Sequence, residues 1–174
     1  MLKEIVERIE QSQGSDTSFI LWADLPGFDS HSKYPSKIPS ELREKYRPDI
    51  LIQRTRAGKK ELIIIELTCP FEDDRGLVNA HQRKTDKYED FVVSIKTADA
   101  GAFDQIRVHC VEVGSRGHIA SSFEEIRPFL TVDKRGEASV EAFLRSLGRT
   151  ALRGSIFVYR DRDRPFGSNS SQNL

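Results

Sequence analysis

The sequence predicts an α/β domain with a central mixed β-sheet flanked by helices, and three observations carry that prediction. First, two short apolar runs, Ile50 to Arg54 and Glu61 to Thr68, flank a connector containing Ala57-Gly58-Lys59-Lys60. β-Branched enrichment on both sides of a Gly-bearing connector is the pattern of a β-hairpin. Second, the segment Leu77 to Lys96, with helical apolar spacing, separates the second run from a strand-like run at Ile106 to Val113. That βαβ order makes the strands on either side of the helix parallel neighbours, so the sheet mixes both pairings. Third, Leu2, Ile5, Val6 and Ile9 recur at i, i+3, i+4, i+7 between charged residues, the signature of an opening amphipathic helix.

In chain order, Gln11 to Ser18 ends that helix and Phe19-Ile20-Leu21-Trp22-Ala23 reads as a strand. Asp24-Leu25-Pro26-Gly27 turns the chain. Those residues also fit the DxxG element of GTPases, but the chain contains no GxxxxGK[ST] phosphate loop, which removes that reading. Ser, Lys and Pro over Phe28 to Ile38 suggest a surface loop, and Glu41 to Tyr46 a short helix. Beyond the Ile106 strand, Ile119, Phe123, Ile126 and Leu130 suggest a helix interrupted by Pro128. Ala138 to Ala151 suggests another. Ile156-Phe157-Val158-Tyr159 fits either a continuation of that helix or an edge strand.

With 27 basic and 27 acidic residues, net charge gives no sign of a nucleic-acid partner, so any basic surface must be local. Arg145, Arg149 and Arg153 form such a surface, a stripe at i, i+4, i+8, followed by Arg160, Arg162 and Arg164. Two cysteines, Cys69 and Cys110, are too few for a disulfide scaffold and read as reduced thiols. No signal peptide and no apolar run of membrane-spanning length is present, which points to a soluble intracellular protein or an excised domain, without a membrane partner. A single domain is expected over residues 1–166, with a disordered tail over 167–174.

The anomaly is Glu66, a carboxylate inside Leu62-Ile63-Ile64-Ile65-Glu66-Leu67, where burying a charge is costly unless something compensates it. A turn centred near Gly58 places Asp49 roughly opposite Glu66 or Leu67. Two acids at one end of a ribbon repel each other unless a proton or a divalent cation sits between them, and oxygen ligands suit Mg²⁺ or Mn²⁺. At 100° per residue, Leu77, His81, Lys84, Tyr88, Phe91, Val92 and Ile95 share one face of the long helix. Lys84 therefore points toward the core, while Lys87 lies on the flank. The bland alternatives are a turn-capping role for Asp49 and a metal-free Glu66–Lys84 salt bridge. Tyr88 reads as a packing residue, and His81 and His109 as satisfied core or sheet histidines. Glu7 or Asp24 are the candidates for a third acid.

The order of helix, three strands, long helix and strand, with Asp49, Glu66 and Lys84 so placed, resembles the PD-(D/E)xK restriction-endonuclease-like core. The segments Ala23-Asp24-Leu25-Pro26-Gly27, Arg47-Pro48-Asp49, Ile65-Glu66-Leu67-Thr68 with Pro70, Arg83-Lys84 with Lys87-Tyr88, and Val111-Glu112-Val113-Gly114 with Arg116-Gly117 occur in order. Together they resemble the endonuclease domain of site-specific non-LTR retrotransposons. The resemblance implies a Mg²⁺- or Mn²⁺-dependent DNA endonuclease in which Asp49, Glu66 and the Leu67 carbonyl hold the metal. It further implies that Lys84, or else Lys87, completes the catalytic set, because Thr68 stands where the superfamily pattern has its lysine. DNA contacts are expected from Arg47, Arg83, Arg116, Arg145, Arg149 and Arg153. A nuclear location, a homodimer, and a place in a larger retroelement polyprotein are the further partners and settings that it suggests. A catalytically degenerate DNA-binding or dimerisation module and a structure-selective, junction-resolving nuclease are the alternatives on the same core.

Overall fold

A computed structural model describes residues 1–13, 19–26, 34–72, 75–131 and 136–161. The expected boundary at residue 166, the tail over 167–174, and Gly27, Asp73, Asp74, Arg162 and Arg164 lie outside the described residues.

The architecture is mixed α/β. A four-stranded sheet runs in the order β1 (Ile20–Ala23), β2 (Ile50–Arg56), β3 (Lys59–Thr68), β4 (Gln105–Glu112). β2 is antiparallel to both β1 and β3; β4 lies parallel to β3, as the intervening helix α3 (Gly76–Ala98) requires. Ala57 (φ 51°) and Gly58 (φ 76°) form the turn between β2 and β3, with Arg56 paired to Lys59. Positive φ at both central residues is the two-residue turn whose twist matches the flanking strands.

Alternation along β3 sends its side chains into two separate cores. Ile63 and Ile65 pack with α1 (Leu2–Gln13), α4 (Phe123–Leu130) and α5 (Gly136–Asp161). Leu62 and Ile64 pack with α2 (Ser40–Tyr46) and with Tyr88, Phe91 and Ile95 of α3. Glu66 keeps the parity of Leu62 and Ile64, so it faces α3.

Three expectations need correction. Ile119 belongs to an isolated antiparallel bridge with Val113 rather than to a helix, and α4 begins only at Phe123. Pro128 lies inside α4 without interrupting it: so near the helix end it removes one internal hydrogen bond, and the buried side chains of Phe123, Ile126, Phe129 and Leu130 hold the remainder. The described part of the Ser/Lys/Pro segment is also more than surface. Ile38 is buried and Tyr34 packs edge-on against Trp22 with ring centroids 5.0 Å apart. Of the two readings for Ile156 to Tyr159, the helix holds: α5 runs through them and leaves all four exposed. No described helix is long and apolar enough to cross a membrane, and both cysteines are free.

Candidate active site

The site forms where β2 begins and β3 ends. The register Ile50↔Ile65, carried one step further, sets Asp49 opposite Glu66. The backbone N–H of Asp49 donates to Glu66 Oε2 at 3.2 Å, and the N–H of Leu67 donates to Asp49 Oδ2 at 2.8 Å. The two carboxylates are thus laced into the ladder where the two central strands end. In a strand the N–H and C=O of one residue face the same neighbour. The Leu67 carbonyl therefore faces the same side as Asp49, opposite Pro48, which has no N–H to give it.

Helix α3 supplies the rest. Lys84 and Tyr88, one turn apart, sit on its inner face as the helical spacing predicts. Lys84 Nζ donates to Glu66 Oε1, and Tyr88 Oη donates to Glu66 Oε2 at 2.6 Å. Only 4 % of the Glu66 side chain and 22 % of the Lys84 side chain is exposed. Three donors aimed at one buried carboxylate are the surroundings a carboxylate needs to stay charged away from water. Lys87 Nζ lies 3.3 Å from Tyr88 Oη and over the Tyr88 ring, so it touches Glu66 only through the tyrosine.

The charges do not balance. Asp49 and Glu66 bring two negative charges and Lys84 one positive. Burial, followed by the Glu66 charge, pushes the Asp49 carboxyl up from 3.8 to about 6, against the opposing pull of the Leu67 N–H. Burial and the bond to Glu66 push the Tyr88 phenol well above its ordinary value, so it acts as a donor. The oxygen donors fit a hard divalent cation: Asp49 Oδ1 accepts no hydrogen bond among the described residues, and the Leu67 carbonyl faces the pair. No third acid completes the group among the described residues. Asp24 is ion-paired to Arg47 at 2.9 Å, and Glu7 pairs with Lys3 on the outer face of α1.

The arginines fall in separate places. Arg47 is the left-handed cap of α2 and holds Asp24 beside the site. Arg83 is exposed on α3 next to Lys84. Arg116 is bonded to the Glu72 carbonyl and lies near its carboxylate, whereas Arg145, Arg149 and Arg153 are exposed on α5, across the sheet from α3.

Two residues escaped the sequence reading. Tyr88 does more than pack, and the signal was a tyrosine rather than a phenylalanine four residues after an inward lysine. Glu112, buried at the end of β4, accepts from Ser122 Oγ at 2.7 Å and pairs with His81 Nδ1 at 3.0 Å. His81 is accordingly half-exposed rather than a core histidine. His109 pairs with Glu125 through Nδ1 at 2.9 Å but leaves Nε2 buried and without a partner among the described residues, so it is not fully satisfied. No protein-family model matches the chain, and no curated protein matches it either.

Proposed function

We propose that the chain is a metal-dependent DNA endonuclease of the restriction-endonuclease-like kind, similar in its motifs to the nicking domain of site-specific non-LTR retrotransposons. One observation carries the reading: a lysine from α3, an acid just before β2 and an acid in β3, far apart in sequence, close on one another through hydrogen bonds at one end of the sheet. Asp49, Glu66 and the Leu67 carbonyl would hold Mg²⁺ or Mn²⁺, which supplies Lewis-acid activation of the phosphodiester and of the attacking water. Lys84 Nζ orients that water and offsets the charge developing on the phosphate. Tyr88 fixes the rotamer of Glu66 by holding Oε2, so that Oε1 is turned to Lys84. Thr68 stands where the superfamily pattern has its lysine, and Lys84 comes to Glu66 from the helix instead.

Supercoiled-plasmid nicking in Mg²⁺ or Mn²⁺ tests this. Asp49→Ala, Glu66→Ala and Lys84→Ala are each expected to lose about 10²–10³-fold in rate. Lys87→Ala is expected to stay within roughly tenfold of wild type, because its ammonium reaches only the tyrosine. Undiminished cutting in the first three variants would remove the site. Nicked, branched and linear duplexes compared side by side separate a junction-selective enzyme from a general one.

One observation favours a second reading, a catalytically silent DNA-binding or dimerisation module: the chain itself gives Glu66 three hydrogen bonds, from the Asp49 N–H, Lys84 and Tyr88. Calorimetric titration with Mn²⁺ decides between them, since the silent module takes up no ion at Asp49 and Glu66.

A further inference from the structure

Arg116 and the α5 stripe, separate in sequence, meet. The loop after β4 is seated on α5 by a backbone contact between Gly117 (φ +96°) and Gly148; a Cβ on Gly117 would come within 2.7 Å of the Gly148 carbonyl oxygen. Two glycines are needed for that approach, and it sets Arg116 beside Arg145 and Arg149, the residues three before and one after Gly148. The three line a cavity of about 470 Å³ together with Arg127, Glu124 and Glu141. Both glutamates are already bound to the Arg127 guanidinium, at 2.6 Å and 2.7 Å. Arg145 and Arg149 have no ion pair among the described residues, and the four arginines of the lining outnumber its two glutamates. Arginine presents a planar fork of donors suited to phosphate, and Arg145 and Arg149 are spaced by about 6 Å along the helix.

We propose that this cavity is a phosphodiester-binding site for the backbone of duplex DNA, separate from the Asp49–Glu66–Lys84 site. The inference rests on the reading of the chain as acting on DNA. The position suits that role. The Ser115 N–H donates to the Pro70 carbonyl at 2.9 Å, and Arg116 follows the end of β4 as Glu66 lies near the end of its parallel neighbour β3, so both stand at the same end of the sheet. The cavity lies on the α5 face and the carboxylates on the α3 face, and the proposal has the duplex span that end of the sheet.

The test is equilibrium binding of a fluorescent 30-base-pair duplex to the full chain in EDTA, over a salt series. Arg145→Gln/Arg149→Gln is expected to weaken binding at least about tenfold at 0.1 M salt, and to lower the slope of log K against log[salt] by about 2, as two lost phosphate contacts require. Lys59→Gln/Lys96→Gln, which removes equal charge from exposed positions outside the cavity, is the control. An equal loss in both double variants, or an unchanged salt slope, would overturn the proposal. Because the ion is chelated and no bond is cut, the two readings fail separately: a chain that binds as expected but never nicks loses only the nuclease, and one that nicks but ignores Arg145 and Arg149 loses only this site.

Discussion

Asp49 is held between two opposed demands. Its Oδ2 is tied to the Leu67 N–H, yet burial and the neighbouring Glu66 charge raise its affinity for a proton. In metal-free buffer the folded chain therefore holds that proton more tightly than the unfolded chain does. The associated stability is fully present below pH 3.8 and is lost as the pH climbs through about 6. Asp49→Asn removes the titration, and its amide oxygen still accepts from Leu67. The variant is expected to be more stable than wild type by about 1–2 kcal/mol at pH 8, with the gap closing below pH 4. Thermal unfolding across that range in EDTA checks it, and a variant less stable at pH 8 would contradict it. At this scale the site was largely legible in the sequence. Glu66 stood out as a charge in an apolar strand, the hairpin register brought Asp49 to it, and helical spacing turned Lys84 inward. The partners of Tyr88 and Glu112 were not legible, because a buried hydroxyl or carboxylate reveals its partner only when a third element arrives from elsewhere in the chain.

Among the elements, the β2–β3 hairpin aligns the two acids, and its turn is not optimal. Ala57 adopts φ 51° with a Cβ that resists it, where an asparagine would sit more easily. Ala57→Asn is expected to stabilise the fold by about 1 kcal/mol, or roughly 2–4 °C in Tm, without altering the far end of the ribbon. A lowered Tm in differential scanning calorimetry would show that the turn is not of this kind. The strands were readable as short β-branched runs around a Gly-bearing connector, and α3 because its period of 3.6 runs uninterrupted. Around α4 the apolar spacing ran one turn too far, since Ile119 satisfies the same period while pairing with Val113 as a bridge. The arginine stripe was visible on α5, but the contact of Gly117 with Gly148 that joins Arg116 to it was not, for glycine carries no pattern of its own.

For the whole molecule, the consequential feature is that β3 has a hydrophobic core on each face and a hydrogen-bonded strand on each side. Ile63, Ile64 and Ile65 have no exposed surface at all. Such a strand has no local route to opening; its amides come free only when everything does. Deuterium uptake at Leu62 to Leu67 is expected to be the slowest in the chain and to follow global stability, while the exposed end of α5 from Arg153 to Arg160 exchanges through fraying. Fast uptake in β3 would contradict this. Glu66 grows directly out of that strand, so the anchor of the carboxylate pair inherits its stillness. A ligand arriving there meets a seat already formed, and the free and occupied states are expected to share one backbone.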